Sequence, residues 1–592
     1  MHTSDPRPSE VLEPEPTGRH TSPPLEIYNA QDYKDAHPED AEAIVEPFPL
    51  VLTDTSEYEP GIDEYGMPVY WSKITREQST APVLDIGVFN YHDFMARCLM
   101  TITSAAPRSF AKAIMQPAWH SAINKEIGNF IDNTCFQWIK DVGQRRMMMI
   151  WLFSFKADMT MKARLVVNGK MCKPGLDYNP DETYCGNVAA TSIKVFFALS
   201  ALYGLTLRGG DLVGAYLVTP GSKDFMLCMA TPDGIIAPKG MVLQVLGNLY
   251  GLPSSGRNFS KAVDAIVLGY KMLGYKNTPY DPKFFCKWIG GMPILVVFHS
   301  DDFRWCGPPH LLSEWDSLVA AFEASRYKVK ECTKEPFVGI DVTSDEKCNF
   351  YLDQKKLIES AVKAAKVSGA KVQKLPYPLD GPSLSKADNA KTEAEANDMA
   401  KIPYRAIVGM LSYIMGHTKP DIAYALNVLS RYCNNPGRRH VEFLLCLVKY
   451  CEYSKDDRLK FHAHPGPYDA ETMRPLTQAR FQCDADLAVN LDNSHSTSAH
   501  IGYIGLSVVS FTSKTQGSLS TSTAESEIKA VNQCLKEKAS ALRGMLNLMG
   551  FPQDATIIEE DNQACVYASK IPHMTRGMRH LDLAELLRRS NF

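Results

Sequence analysis

The chain has 592 residues, 45% hydrophobic and 22% charged, which is too long for one core and suggests three or four ordinary globular units. Net charge is −4, but residues 1–60 hold 3 Lys/Arg against 14 Asp/Glu, leaving 60 basic against 53 acidic side chains in the remainder. The start "MHTSDPRPSE" has neither the basic opening nor the apolar stretch of a secretory signal, and no run reaches bilayer-spanning length; an intracellular chain with no membrane role is expected.

The mildly basic body fits a polyanionic partner, because neutralising phosphates supplies most non-specific nucleic-acid affinity. Fifteen cysteines are scattered without a CxxC pair, so they read as reduced, buried small hydrophobes rather than as zinc ligands or a disulfide frame.

Residues 1–82, rich in Pro, Glu, Asp and Ser, read as a disordered acidic leader. Order is expected to begin near "PAWHSAINKEIGNFIDN", where Trp119, Ile123, Ile127, Phe130 and Ile131 recur at helical spacing. "MMMIWLFSFK" and "KARLVVNGK" predict a hairpin carrying Lys162 and Arg164. "TSIKVFFALSALYG" predicts a helix with Thr191 or Ser192 as N-cap and Gly204 as its stop. A strand over "LTLRGGDLVGAYLV" and a helix-turn pattern around "NLYGLPSSGRNFSKAVDAIVLGYKMLG" follow. "ILVVFHSDDFRW" is a short apolar strand that runs into Asp301 and Asp302 at a strand end or turn.

Residues 350–400 turn helical and then polar, the signature of a connection. Residues 403–453 predict two amphipathic helices separated by "HTKPDIAYA". A last αβ unit opens with adjacent strands over "ARFQCDADLAV" and "HIGYIGLSVVSFTSK" and continues into a helix, "STAESEIKAVNQCLKEKASALRGMLNLMG", closed by Gly550.

Adjacent carboxylates repel, and placing them beside an apolar strand is costly unless a cation lies between them. Asp301 and Asp302 alone read as solvated turn residues. Asp211, in "GGDLVGAYL" at the edge of another apolar strand, adds a third carboxylate. Three carboxylates from neighbouring strands suit two Mg²⁺ ions, one activating a 3′-hydroxyl and one neutralising a leaving pyrophosphate.

The collinear series "MKARLVVNGK", "GGDLVGAYL", "LGNLYGLPSSGRNF", "FHSDDF", "FVGIDV", "TKPDIAYALNVLSRYCNNP", "CDADLAVNLDNSHSTS", "STAESEIKAV" and "EDNQACVYASK...RGMRHLD" resembles the reverse transcriptase and ribonuclease H region of copia-type long-terminal-repeat retrotransposon polyproteins, over roughly residues 108–592. The resemblance implies an α+β fold: right-hand polymerase fingers and palm over 108–345, thumb and connection over 346–470, and a ribonuclease H-like αβ domain over 476–592. It implies Asp211, Asp301 and Asp302 as polymerase metal ligands or their immediate supports and Tyr216 as a steric gate against ribose. Lys162 and Arg164 are implied to pair with the triphosphate, although alone they read as solvated bases of an edge strand.

The same resemblance implies Asp484, Glu527, Asp561 and Asp582 as the ribonuclease H carboxylates. Glu525 competes with Glu527 for the helix position, and His580 is a candidate for assisting product release. Implied cofactors are two Mg²⁺ per site, or Mn²⁺ in their place. Implied partners are RNA template, DNA primer, RNA–DNA hybrid and deoxynucleoside triphosphates, with a cytoplasmic setting, a virus-like particle for an intact element, and nuclear access. No protease, integrase or capsid portion is read.

The chain departs from the family at His299 and Ser300, where Tyr and a small apolar residue usually stand. It departs also at Ser254 in place of Gln, at Leu487 in place of Trp, and at Gly209 and Gly210, where strand-interior glycine is expected to weaken packing. These departures motivate an alternative, a catalytically impaired relic that keeps the fold and binds nucleic acid. A further alternative retains the nuclease alone.

Overall fold

The computed structural model describes residues 106–155, 160–221, 225–269, 273–369, 371, 373–377, 383–464 and 475–570, together with short strands at Glu26–Ile27, Tyr58–Ile62 and Pro68–Ser72. Most of the leader, Asp582 and His580 lie outside the described residues. Helix and strand are mixed throughout. Contacts divide the chain into two compact units, one of residues up to Tyr184 with Gly214–Phe259, the other of Cys185–Val213 with residues from Ser260 onward.

In the first unit, helix Pro117–Asp132 starts with proline at its first turn, where no amide donor is missed. Its Trp119, Ile123, Ile127 and Phe130 are buried as their spacing predicts, but Ile131 is 45% exposed because it falls outside the apolar stripe. Strands Met149–Phe155 and Met161–Val167 form the expected antiparallel hairpin, pairing Leu152 with Arg164 and Ser154 with Lys162. Its alternate residues Trp151, Ala163 and Leu165 face a core that includes Trp119 and Phe130.

The second unit is built on a six-stranded antiparallel sheet. Its order is Lys276–Thr278, Asp281–Ile289, Met292–His299, Asp302–Gly307, Thr206–Val213 and Lys328–Glu331. Ile294 to Phe298 are all buried, so the apolar run is a central strand covered on both faces. Helix Ala190–Leu202 lies on this sheet. It begins one residue before Thr191, its N-cap is Ala189, and no side chain caps it. Instead Asp281 Oδ2, from the sheet, accepts a hydrogen bond from the Ala189 amide at 2.9 Å, so a tertiary contact replaces the expected local cap.

Gly210 does not loosen its strand. A Cβ there would stand 2.4 Å from the Phe303 ring, and one at Gly209 would stand 2.9 Å from Arg304 Nη1, so both positions are bare because neighbours occupy the space.

Residues 403–453 form three helices rather than two: Tyr404–His417, Ala423–Ser430 and Arg438–Tyr453. The Pro436–Gly437 pair breaks the chain a second time. The last unit of sequence forms a four-stranded mixed sheet ordered Ser507–Thr515, Thr497–Ile504, Ala479–Asp486, Ile557–Glu559, with only the last pair parallel. Helix Thr523–Cys534 packs on it and continues through a π-turn into Ser540–Leu548, ended by Gly550 at φ +90°. One hydrophobic core joins the two sheets: Phe196, Leu199, Leu202, Phe284, Leu295 and Val297 share it with Phe481, Ile504, Leu542, Met545, Leu546 and Phe551.

Among the described residues no helix is long and apolar enough to cross a membrane. The described cysteines are unbridged and mostly buried, in keeping with their reading as small hydrophobes.

Candidate active sites

Strand pairing sets Asp211 opposite Asp302, but Asp211, Asp301 and Asp302 do not form a three-carboxylate cluster as tight as that of the second site. The strand ending at His299 turns through Ser300 in the left-handed region, φ +57°, with the Ser300 amide donating to Asn187 Oδ1 at 3.1 Å. The chain returns at Asp302, which sits directly opposite Asp211 on the neighbouring strand. Asp301 is tied to that strand by its carbonyl, which accepts from the Leu212 amide at 2.8 Å. On its other side Asp211 faces Lys330.

Burial pushes the Asp302 carboxyl up to about 6; the adjacent Arg304 pulls it down, as do hydrogen bonds from Arg304 and Cys332, and the Asp211 charge adds to the rise. His299 is held below the ordinary imidazole range by burial, with Asp301 opposing, and its Nδ1 is buried without a hydrogen-bond partner.

Two residues of this centre were not foreseen in the sequence. Arg304 is fully buried, and its Nη1 donates to Asp302 Oδ1 at 2.5 Å. Cys332 Sγ lies 3.6 Å from the same oxygen. An arginine inside "DDFRWCG", where every other residue after Asp302 is apolar or Gly, was the available signal.

In the first unit, Arg164 is engaged twice. Its Nη1 pairs with the buried Glu126 carboxylate at 3.4 Å, and its guanidinium lies 4.5 Å from the Tyr250 ring centre. Glu126 also accepts from the Leu165 amide at 3.1 Å. Tyr250 is 5.4 Å from Tyr216, which is in turn 5.4 Å from Phe259. Arg164, Tyr250, Tyr216 and Phe259 thus form one cation–aromatic row. Lys162 shares the non-buried face of the hairpin with Arg164. Ser254 precedes helix Ser255–Gly269, its carbonyl accepting from the Asn258 amide at 2.9 Å.

The second carboxylate set is tighter. Asp484 on the first strand of the four-stranded sheet, Glu527 on helix Thr523–Cys534 and Asp561 just past strand Ile557–Glu559 place ligand oxygens within 4.8 Å of one another. Glu527 is buried and its Oε2 has no hydrogen-bond partner. Burial, then Glu560, Asp484 and Asp561, drive its carboxyl up to about 7. The neighbouring Glu560 is raised too, by burial first and by Asp561 and Asp484, and its Oε2 is likewise buried and unpartnered; sequence reading passed over it.

Glu525 is elsewhere: it pairs with Lys529 at 2.8 Å and accepts from Thr521. Its carboxyl falls to about 2 despite burial, held there by Lys529 and Thr521.

An all-oxygen carboxylate donor set with an orphaned buried oxygen is what a hard divalent cation satisfies, so Asp484, Glu527 and Asp561 fit such an ion. Asp211, Asp301 and Asp302 offer the same donor chemistry, with one Asp302 oxygen already taken by Arg304.

Residues 134–378 match the family Reverse transcriptase (RNA-dependent DNA polymerase). The Retrovirus-related Pol polyprotein from transposon TNT 1-94 of Nicotiana tabacum is 27% identical over 495 residues, covering 81% of this chain and 35% of that protein. The Retrovirus-related Pol polyprotein from transposon RE1 of Arabidopsis thaliana is 25% identical, covering 80% of this chain and 31% of that protein. This chain spans about a third of the length of these curated relatives. A solved foamy viral protease-reverse transcriptase in complex with double-stranded DNA aligns over 80% of this chain and 68% of that one, at 10% identity and a TM-score of 0.44. The reverse transcriptase resemblance read from the motif series is matched by these relatives over about 80% of the chain. Asp211, Asp301 and Asp302 all fall inside the matched span.

Proposed function

We propose that this chain is an RNA-directed DNA polymerase with an associated ribonuclease H activity, copying element RNA into DNA during retrotransposition. The observation that carries the reading is the cross-strand apposition of Asp211 and Asp302, with Asp301 at the turn between their neighbours, inside the span that matches the reverse transcriptase family. On this reading the six-stranded sheet is the palm, the Met149–Val167 hairpin belongs to the fingers, and the helices over 404–453 form thumb and connection. The four-stranded mixed sheet with helix Thr523–Cys534 is the ribonuclease H-like domain.

Divalent cations, when bound, would activate the attacking oxygen and neutralise the charge that develops on the leaving oxygen. In the palm, Asp211 and Asp302 on paired strands, with Asp301 at the turn before Asp302, would hold those cations and leave the primer hydroxyl little freedom to miss. The resemblance implies that Lys162 and the Arg164 fork pair with the triphosphate. Arg164 is held by Glu126 and by its contact with the Tyr250 ring. The resemblance implies that Tyr216, whose ring lies 5.4 Å from both Tyr250 and Phe259, excludes a ribose 2′-hydroxyl by bulk.

In the second site Asp484, Glu527 and Asp561 would hold cations against the RNA strand of a hybrid, whose 2′-hydroxyls would mark it for hydrolysis; the resemblance adds Asp582, which lies outside the described residues. Template RNA, DNA primer, hybrid and deoxynucleoside triphosphates are the partners, met in the cytoplasm and, for an intact element, in a virus-like particle.

The test is Mg²⁺-dependent extension of a DNA primer on an RNA template by the purified chain. Asp301→Asn is expected to lower extension by at least about 100-fold while hybrid cleavage persists, and Glu527→Gln to do the reverse. A folded wild-type chain that extends no primer would refute the polymerase reading.

A further inference from the structure

Arg304 is the most deeply buried charge beside the palm aspartates. It is 0% exposed, and a charge so placed is tolerated only when paired and hydrogen-bonded. Its carboxylate partner is Asp302, through Nη1 at 2.5 Å. Of the rest of the guanidinium, Nη2 donates to the Glu335 carbonyl at 2.9 Å, Nη1 to the Phe303 carbonyl at 3.0 Å, and the Phe337 ring centre lies 4.8 Å from Cζ, while Nε is buried without a hydrogen-bond partner.

The opposite strand is shaped for it. Gly209 leaves the space in which a Cβ would press 2.9 Å from Nη1 and 3.0 Å from Cζ. The neighbouring strand residue thus lacks a side chain where the guanidinium lies, and the pair Gly209–Arg304 stands in direct cross-strand register.

We propose that Arg304 is a resident counter-cation of the polymerase centre, a positioning residue that holds Asp302 by its Oδ1 and weakens the binding of a divalent cation at the Asp211–Asp302 pair. The inference rests on the polymerase reading above. Beside two carboxylates on facing strand positions, a fixed positive charge paired with one of them offsets their repulsion before any ion arrives. The same charge repels an incoming divalent ion and takes up one of the oxygens that would ligate it. The centre therefore tolerates an ion-free state, and it fills only at higher cation concentration than a carboxylate pair without the arginine.

The test counts Mn²⁺ bound to the full chain by electron paramagnetic resonance. The second site is silenced by Asp484→Asn and Glu527→Gln, so that palm ions alone are read. Arg304→Met and Arg304→Gln remove the charge at similar volume and are expected to tighten Mn²⁺ binding about ten-fold or more, whereas Arg304→Lys, which keeps it, is expected to stay within about two-fold of the parent. Circular dichroism identifies which variants fold, and either neutral variant suffices.

If Asp302→Asn abolishes Mn²⁺ binding while a folded neutral variant binds no tighter than the parent, the palm reading stands and the role of Arg304 falls. A folded Arg304→Lys that binds ten-fold tighter would also overturn it, since the charge would not be the cause. If Asp302→Asn leaves Mn²⁺ binding unchanged, the metal reading of the palm itself fails, and the inference fails with it.

Discussion

Ser300 takes up the left-handed turn, and this lets Asp301 and Asp302 follow a fully buried strand without entering the core. Next to that turn, Gly210 is bare for packing reasons: Phe303 stands over it, stacked 4.8 Å from Phe298 and hemmed by Trp315 and Phe322. Gly210→Ala would drive a methyl against a ring that has no room to retreat. Overpacking of this kind costs about 1–3 kcal/mol, so the urea midpoint should fall with little change in slope. An unchanged midpoint would mean that the strand shifts to accept the methyl. From the sequence these glycines read as weak points, because a glycine looks the same whether space is empty or already filled.

At the scale of an element, helix Ala190–Leu202 carries a lysine where its neighbours are apolar. Lys194 is 3% exposed, donates to the Gly416 carbonyl at 2.6 Å and lies 4.9 Å from the Phe511 ring. Burial, with Lys538 adding repulsion, lowers its ammonium from 10.5 to about 7. His417 and His500 are lowered as well, by burial first, with Lys194 acting on the former and Lys538 on the latter.

The sign follows from proton counting. Between about pH 7 and 10.5 the unfolded chain holds a proton on Lys194 that the folded chain has lost, so this residue makes stability rise with pH across that window, and below it the full penalty remains. Lys194→Met should therefore stabilise the chain at pH 7 and by less at pH 9.5, read as urea midpoints at both values. An equal gain at both would show that Lys194 does not titrate in this range. Helical spacing made the element itself legible in the sequence, whereas its cap and its buried cation depend on Asp281 and Gly416, remote in sequence.

For the second unit as a whole, the shared core has a direct consequence. Phe481, Leu542, Met545, Leu546 and Phe551 are buried in the same cluster as Phe196, Leu199 and Leu202. Trp288 adds a hydrogen bond from Nε1 to the Met549 carbonyl at 2.8 Å and packs 4.9 Å from Phe551. Each large apolar side chain in such a core contributes about 1.5–3 kcal/mol by leaving water, and a domain is held by only about 5–15 kcal/mol in total. A chain cut to residues 1–475 should accordingly lose cooperative thermal unfolding in its six-stranded sheet, seen by near-ultraviolet circular dichroism of Trp305 and Trp315. A sharp transition retained by the shortened chain would mean that the final αβ unit is a separable module.

The order of motifs, the hairpin with Lys162 and Arg164, the apolar strand aimed at Asp301 and Asp302, and the αβ character of the last unit were all determined by the sequence alone, because period, turn residues and motif spacing are local properties. Only the tertiary structure decided that Asp211 faces Asp302 and that Arg304 is buried against Asp302, and it sets Glu527, the glutamate the motif already favoured over Glu525, beside Asp484 and Asp561. Each of these is set by strand register or by the face a helix turns inward. A one-residue shift of a strand, or two residues along a helix, sends a side chain to a different side, and that choice is fixed by partners far away in the chain.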